Sequence, residues 1–236
     1  MKKMLAIILA LATVFALVSC GGGSDSAEGG KTELVFTTGG ETGTYYAFGG
    51  VIAQSVTANT DVSVTAVSSD GSKANVLLLA AGDAQLGFCQ SDVMAYAFNG
   101  TSTFADVGKV SDFSTVANLY MEQVQIVTCD PSIKTVDDLR GKKVSIGAAG
   151  SGVYFNAIDI LGAYGMTESD IVANFQNFAD SADSLTDGTI DAAFIVAGAP
   201  PPRSPLSQPA RMSTSSTSTM STSTSSWRLL LTTARL

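Results

Sequence analysis

Residues 79–88 read LAAGDAQLGF, and residues 185–194 read LTDGTIDAAF. Both place a leucine, a glycine, a polar residue and a phenylalanine at the same spacing: 79, 82, 85 and 88 in the first, and 185, 188, 191 and 194 in the second. An apolar run that stops at glycine and is followed by a short β-prone run reads as a helix, a glycine cap and a strand. Upstream of each lies a second matching pair, Thr42-Gly43-Thr44-Tyr45-Tyr46 and Ser151-Gly152-Val153-Tyr154-Phe155. The strands LVFTT (34–38) and VSIG (144–147) run into these loops, and QLGFC (85–89) and DAAFIV (191–196) leave the helices. Two coincidences in the same order describe two α/β lobes of similar build.

The loops carry the chemistry. Residues 37–50, TTGGETGTYYAFGG, hold five glycines and two adjacent tyrosines. A strand that enters a glycine-rich loop and then a helix points unpaired backbone N–H groups at one spot, and the helix dipole favours an anion there. Thr42, Thr44 and Ser151 add hydroxyls, and Tyr45 and Tyr46 can wall the site. Two such loops, one per lobe, are expected to face each other across a cleft, with Gly43 at positive φ. The same glycines also suit close strand–helix packing. No Gly-Lys-Ser/Thr follows them, which disfavours a nucleotide phosphate loop. Ser68-Ser69-Asp70-Gly71-Ser72-Lys73-Ala74-Asn75 precedes the apolar run VLLLAA, so a serine or aspartate is expected to cap a helix. Ser72 and Asn75 are then placed to bond a ligand. Gln90-Ser91-Asp92 follows QLGFC at a strand's carboxyl end, where open α/β sheets bind ligands and where a plain turn also fits.

Composition sets the compartment. The N-terminus, MKKMLAIILALATVFALVSC, has two lysines, an apolar run from Leu5 to Val18 and then Cys20. That is a secretory signal over 1–19, too short to be a comfortable membrane span. Leu17-Val18-Ser19-Cys20 resembles the lipobox of bacterial lipoproteins, which implies a lipid on Cys20 and a flexible tether over 20–30. All 21 acidic residues lie between Asp25 and Asp191, against seven basic ones in that stretch, which argues against nucleic acid as a partner. The chain has no histidine, which removes Ser–His and Cys–His catalysis and imidazole-based zinc sites. Neither an enzyme, a metal site nor a cofactor is expected. Cys89 and Cys129 either pair or remain as two buried small hydrophobes.

TGGETGTYYAFGG, SSDGSKANVLLLAAGDAQLGFCQSD, and IKTVDDLRGKKVSIGAAGSG followed by LTDGTIDAAF closely resemble the TAXI family, the solute-binding proteins of TRAP-type secondary transporters. The resemblance runs in order from Lys31 to Pro200. It implies a two-lobed periplasmic-binding-protein-like clamshell of type II that closes on glutamate or a related small carboxylate. It also implies delivery to a TRAP permease driven by an ion gradient. Carried over by motif, the ligand contacts come from Gly43, Thr44 and Tyr45; from Ser72 and Asn75; from Gln90 and Asp92; and from Gly150, Ser151 and Gly152. Lobe 1 is expected over 31–118 and lobe 2 over 119–200, with a first hinge crossing near Asn118-Leu119-Tyr120-Met121-Glu122. The protein is then exported and held by its lipid on the outer face of the cell membrane, or in a periplasm.

From Pro200 onward the sequence departs from the family. Acidic residues vanish, and four of the chain's five arginines appear among serine, threonine and proline. Residues 201–236 read as a low-complexity tail without a packed core, leaving lobe 2 incomplete and DAAFIV on an open edge. One permitted codon choice for 216–225, read two nucleotides later, gives Asn-Ile-Asp-Asp-Glu-His-Ile-Asp-Lys, so a shifted reading frame accounts for the tail. A genuine Ser/Thr-rich stalk on a lipid-anchored surface or adhesion protein is the alternative.

Overall fold

In the computed structural model, residues 31–198 and the strand 226–232 are described. The signal sequence, Cys20, the tether and the rest of the tail lie outside the described residues.

The first half runs β1 (Thr32–Thr37), α1 (Thr44–Asn59), β2 (Val62–Val67), α2 (Ser72–Ala81), β3 (Leu86–Gln90), α3 (Ser91–Asn99) and β4 (Phe113–Met121). The second runs β5 (Gln123–Thr128), β6 (Lys143–Ser145), α4 (Gly152–Ala163), β7 (Val172–Asn174), α5 (Phe178–Thr186) and β8 (Ala192–Ala197). β1 pairs in parallel with β2 and β3, and β6 pairs in parallel with β7 and β8. Each half therefore builds the same three-stranded unit, with its first strand in the middle and a helix after each of its first two strands. The matched sequence pairs sit at equivalent places in the two units. Gly82 closes α2 in the left-handed conformation, its N–H on the Leu78 and Leu79 carbonyls, and Gly188 follows α5 with φ 69°.

The edge expected for DAAFIV is not an edge. β8 lies inside a sheet of order β5-β8-β6-β7, and all six of its residues are buried. Its antiparallel partner is β5, QVQIVT, which pairs with it from Gln123↔Ala197 to Thr128↔Ala192. A strand covered on both faces and both edges reads as a continuous apolar run, which is why AAFIVA shows no alternation.

The tail also contributes. β9, Ser226–Thr232, lies between β3 and β4 in the order β2-β1-β3-β9-β4, antiparallel to both neighbours. The low-complexity reading of 201–236 is corrected for these seven residues to this extent: their backbone forms a strand paired with β3 and β4. β9 extends β3 as β5 extends β8, so each parallel unit carries an antiparallel strand on its third strand.

The chain passes from one sheet to the other at Glu122, between β4 and β5. A common core joins both halves, from Phe36, Tyr45 and Phe88 to Val144, Leu161 and Phe194. Phe88 is its keystone, 4.7 Å from the stacked Tyr45 ring and 4.9 Å from Phe36. The motif IKTVDDLRGKKV is structural: Thr135 and Asp138 cap a 3-10 turn over Val136–Leu139, both ends of which are buried, and Lys142 Nζ lies 2.9 Å from Asp130. Cys89 is buried and Cys129 exposed, both as free thiols, so they neither pair nor share burial.

Candidate functional site: a cleft at five helix N-termini

Each of the five described α-helices is the next helix after a parallel strand, and their N-cap residues are Gly43, Gly71, Gln90, Ser151 and Asn177. Every one of these caps lines a single cavity of about 470 Å³ between the two halves. That volume suits a small solute. The first N–H groups of each helix have no partner within the helix, so five positive dipole ends converge on one space. Among the described residues, no lysine or arginine lines the cavity, whereas Glu41, Asp70 and Glu122 do. An anion held here is held by backbone N–H groups and hydroxyls rather than by a cationic side chain.

Seven of the expected ligand residues line the cavity: Gly43, Thr44 and Tyr45 on one loop, Ser72 and Gln90 beside them, and Ser151 and Gly152 opposite. The hydroxyl of Thr44 is buried without a hydrogen-bond partner. Tyr45 OH lies 3.4 Å from Ser72 Oγ, which in turn accepts the Gln90 N–H at 3.1 Å. Burial pushes the Tyr45 hydroxyl well above its ordinary pKa, so it stays protonated and able to donate. Tyr46 is half-buried and does not line the cavity.

The other three serve the scaffold. Asn75 is fully buried; it accepts from Thr37 Oγ1 (2.7 Å) and Ser69 Oγ (2.6 Å) and donates to the Thr38 (2.6 Å) and Phe88 (2.8 Å) carbonyls. That is the full capacity of an amide, with nothing left for a ligand. Asp92 accepts from Asn156 Nδ2 at 2.8 Å, while Gln90 Nε2 donates to Asn156 Oδ1 at 2.6 Å. Tyr96 OH donates to Asp159 at 2.9 Å, and the Gly150 carbonyl accepts the Ala74 N–H at 3.1 Å. These bonds fasten α3 and α2 to α4 and its preceding loop, across the two halves. Burial raises the Asp92 carboxyl pKa, and Asn156 offsets part of that rise.

Two further expectations are corrected. Gly43 has φ −91°, open to any residue; the cavity glycines that need a left-handed backbone are Gly71 (φ 108°) and Gly147 (φ 85°). The cap of α2 is Gly71 rather than a serine or aspartate, and Ser69 Oγ instead accepts the Gly71 N–H at 3.0 Å.

Sequence reading missed Glu122, Gln176 and Asn177, all of which line the cavity. Gln176 and Asn177 follow β7 as Ser68–Gly71 follows β2, so extending the repeat by one strand would have located them. Asn177 caps α5 through its Oδ1, which accepts the Asp180 N–H at 3.0 Å. Glu122 had been read only as part of the crossing.

The NMT1-like family profile matches residues 36–208. The chain belongs to the NMT1-like family. Among solved structures, an ancestral arginine-binding protein bound to arginine is 16% identical with a TM-score of 0.59, over 87% of each chain. The GluR0 ligand-binding core from Nostoc punctiforme, in complex with L-glutamate, is 15% identical with a TM-score of 0.56, over 85% of each. The alkanesulfonate-binding protein SsuA from Xanthomonas axonopodis pv. citri, bound to MOPS, is 16% identical with a TM-score of 0.57. That match covers 86% of the NMT1-like chain and 66% of SsuA, so the chain spans just under two thirds of the sulfonate-binding protein's length. At these identities the likeness establishes the fold: a type II periplasmic-binding-protein clamshell of two α/β lobes.

Proposed function

We propose that this NMT1-like chain is an extracytoplasmic solute-binding receptor of the TAXI type. In this reading it captures a small carboxylate, such as glutamate or a related amino or dicarboxylic acid, and hands it to a TRAP permease. The observation that carries the reading is the convergence of five helix N-termini on a cavity that no cationic side chain lines among the described residues. Such a site binds a compact anion through backbone donors and can release it, because no fixed ion pair has to be broken. The orphaned Thr44 hydroxyl and the bonds joining the two halves add to the case, since a clamshell receptor closes over its solute.

Calorimetric titration of the full-length chain against a panel of amino acids and dicarboxylates tests the receptor reading. Binding of at least one carboxylate is expected, and Gly43→Val is expected to weaken it by about 100-fold or more. The Cβ at position 43 would sit 3.1 Å from the Gly40 carbonyl oxygen, and the branched side chain would cover the first N–H groups of α1. Unchanged affinity in that variant would remove this loop from the site.

The lipoprotein reading rests on Cys20, outside the described residues. No described helix is long and apolar enough to cross a membrane. Under this proposal, Cys20→Ala releases the protein into the soluble fraction of cells expressing it. Membrane association of that variant after a high-salt wash would contradict the anchor.

A further inference from the structure

Glu122 occupies an unusual position. It sits at the crossing from β4 to β5, lines the cavity and is only 7% exposed. A carboxylate taken out of water without a cation costs several kcal/mol to ionise. Among the described residues, no lysine or arginine lines the cavity to offset that cost. The titratable groups around it are the Tyr120 hydroxyl on β4 and the Tyr45 hydroxyl on α1, with Glu41 and Asp70 sharing the cavity lining. None of them supplies positive charge. Gln176 lines the same cavity, and its Oε1 is a second acceptor, buried without a donor. The cavity thus holds helix N-termini that ask for an anion, a carboxyl group that meets no cation among the described residues and an amide oxygen without a donor.

Resting on the receptor reading above, we propose that Glu122 is the specificity-determining residue of the cleft, receiving the ammonium group of an amino acid whose carboxylate lies on the helix N-termini. An amino acid carries both charges within a few ångströms, so it satisfies both parts of the lining at once. A 2-oxo acid of the same shape offers only the anion and leaves Glu122 and Gln176 unanswered.

The proton balance follows. Burial lifts the Glu122 carboxyl to about 8, with the Tyr120 hydroxyl offsetting part of the rise. In the empty cleft at pH 7 the group is mostly neutral. An arriving ammonium favours its ionised form, so the carboxyl proton leaves to solvent as the solute binds. The ordinary value is 4.5, so the folded state holds a proton that the unfolded chain releases. The associated stability is fully present below pH 4.5 and is lost as pH rises through about 8; Glu122→Gln removes that dependence.

The test pairs L-glutamate with 2-oxoglutarate and L-alanine with pyruvate, titrated into the full chain and into Glu122→Gln at pH 7, in two buffers of different ionisation enthalpy. The wild-type chain is expected to prefer the amino acid of a pair and to release about one proton on binding it. Glu122→Gln is expected to lose about 30-fold or more of amino-acid affinity, to keep any 2-oxo acid affinity within a few-fold and to release no proton. A cooperative melt shows that the variant is folded. Wild-type chain that binds 2-oxo acids as tightly as amino acids, or a variant that keeps the preference, overturns the role of Glu122 and leaves the receptor reading standing. Absence of binding in both series overturns the receptor reading and this inference with it.

Discussion

A Gly152→Val chain is expected to lose solute binding by about 100-fold or more and to melt several degrees below the parent protein. Any side chain at position 152 runs into the amide of Gln90, which already occupies the space a Cβ would take. Gln90 cannot swing aside at low cost. It is 1% exposed, and its Nε2 is tied to Asn156 Oδ1 at 2.6 Å. Either that bond breaks, leaving buried polar groups unpaired, or α4 moves away from α3. In both cases the N-terminus of α4 leaves the geometry in which it faces Gly43 and Gly71. The effect is therefore larger than that of a contact residue, because the substitution displaces one whole wall of the cleft. Gly162→Ala is the matched control on the same helix. A Cβ at Gly162 meets nothing within 4 Å and the position is exposed, so alanine is expected to keep affinity and to stabilise the helix by up to about 1 kcal/mol. Parental affinity in Gly152→Val would show that the two halves do not need this close approach.

Asn75→Ala is expected to lower the melting temperature by about 10 °C or to abolish cooperative unfolding. Its four hydrogen bonds reach the end of β1, the loop after β2 and the backbone of β3. Alanine leaves the buried Thr37 hydroxyl without its acceptor and takes the amide donors from the Thr38 and Phe88 carbonyls, at about 1–3 kcal/mol for each group left unpaired, while Ser69 Oγ keeps the Thr38 carbonyl as an acceptor at 3.2 Å. Asn75→Asp serves as the discriminating variant. It keeps the two acceptor bonds but loses both donors, so it too is expected to be destabilised, although its shape is unchanged. A residue that touched solute directly would lower affinity and leave the melt of the empty protein unaltered. Thermal denaturation of the two ligand-free variants separates these roles. An unshifted melt in both would return Asn75 to the list of ligand contacts.

The departures of the cavity lining from the expected ligand residues follow a physical pattern. Gly43, Thr44, Ser72, Ser151 and Gly152 were legible because each lies where a strand ends and a helix starts, and that junction is written in a few consecutive residues. Asn75, Asp92 and Gly150 lie within two or three residues of such junctions and have the right chemistry. Their roles are instead decided by partners far along the chain: Thr37 for Asn75, Asn156 for Asp92 and Ala74 for Gly150. Glu122 shows the converse. As sequence it is one acidic residue between two strands, and only its 7% exposure, with no basic residue among the described ones lining the cavity beside it, makes it a candidate reader of charge.

The amino-acid sequence by itself determined that the chain is α/β, that it repeats one strand–loop–helix unit and that anion-friendly loops follow the strands. Those properties depend on spacing, glycine caps and apolar runs within about ten residues, where the chain's local conformational preferences act. Tertiary structure decided which loops share a cavity, which polar side chains are used up by the scaffold, and which strands are edges. QVQIVT covers β8 from a position about 70 residues earlier, and SWRLLLT enters the first sheet from the far end of the chain. Pairings of that span are settled by the free energy of burying apolar faces and satisfying backbone groups together, and no short window of sequence contains both partners.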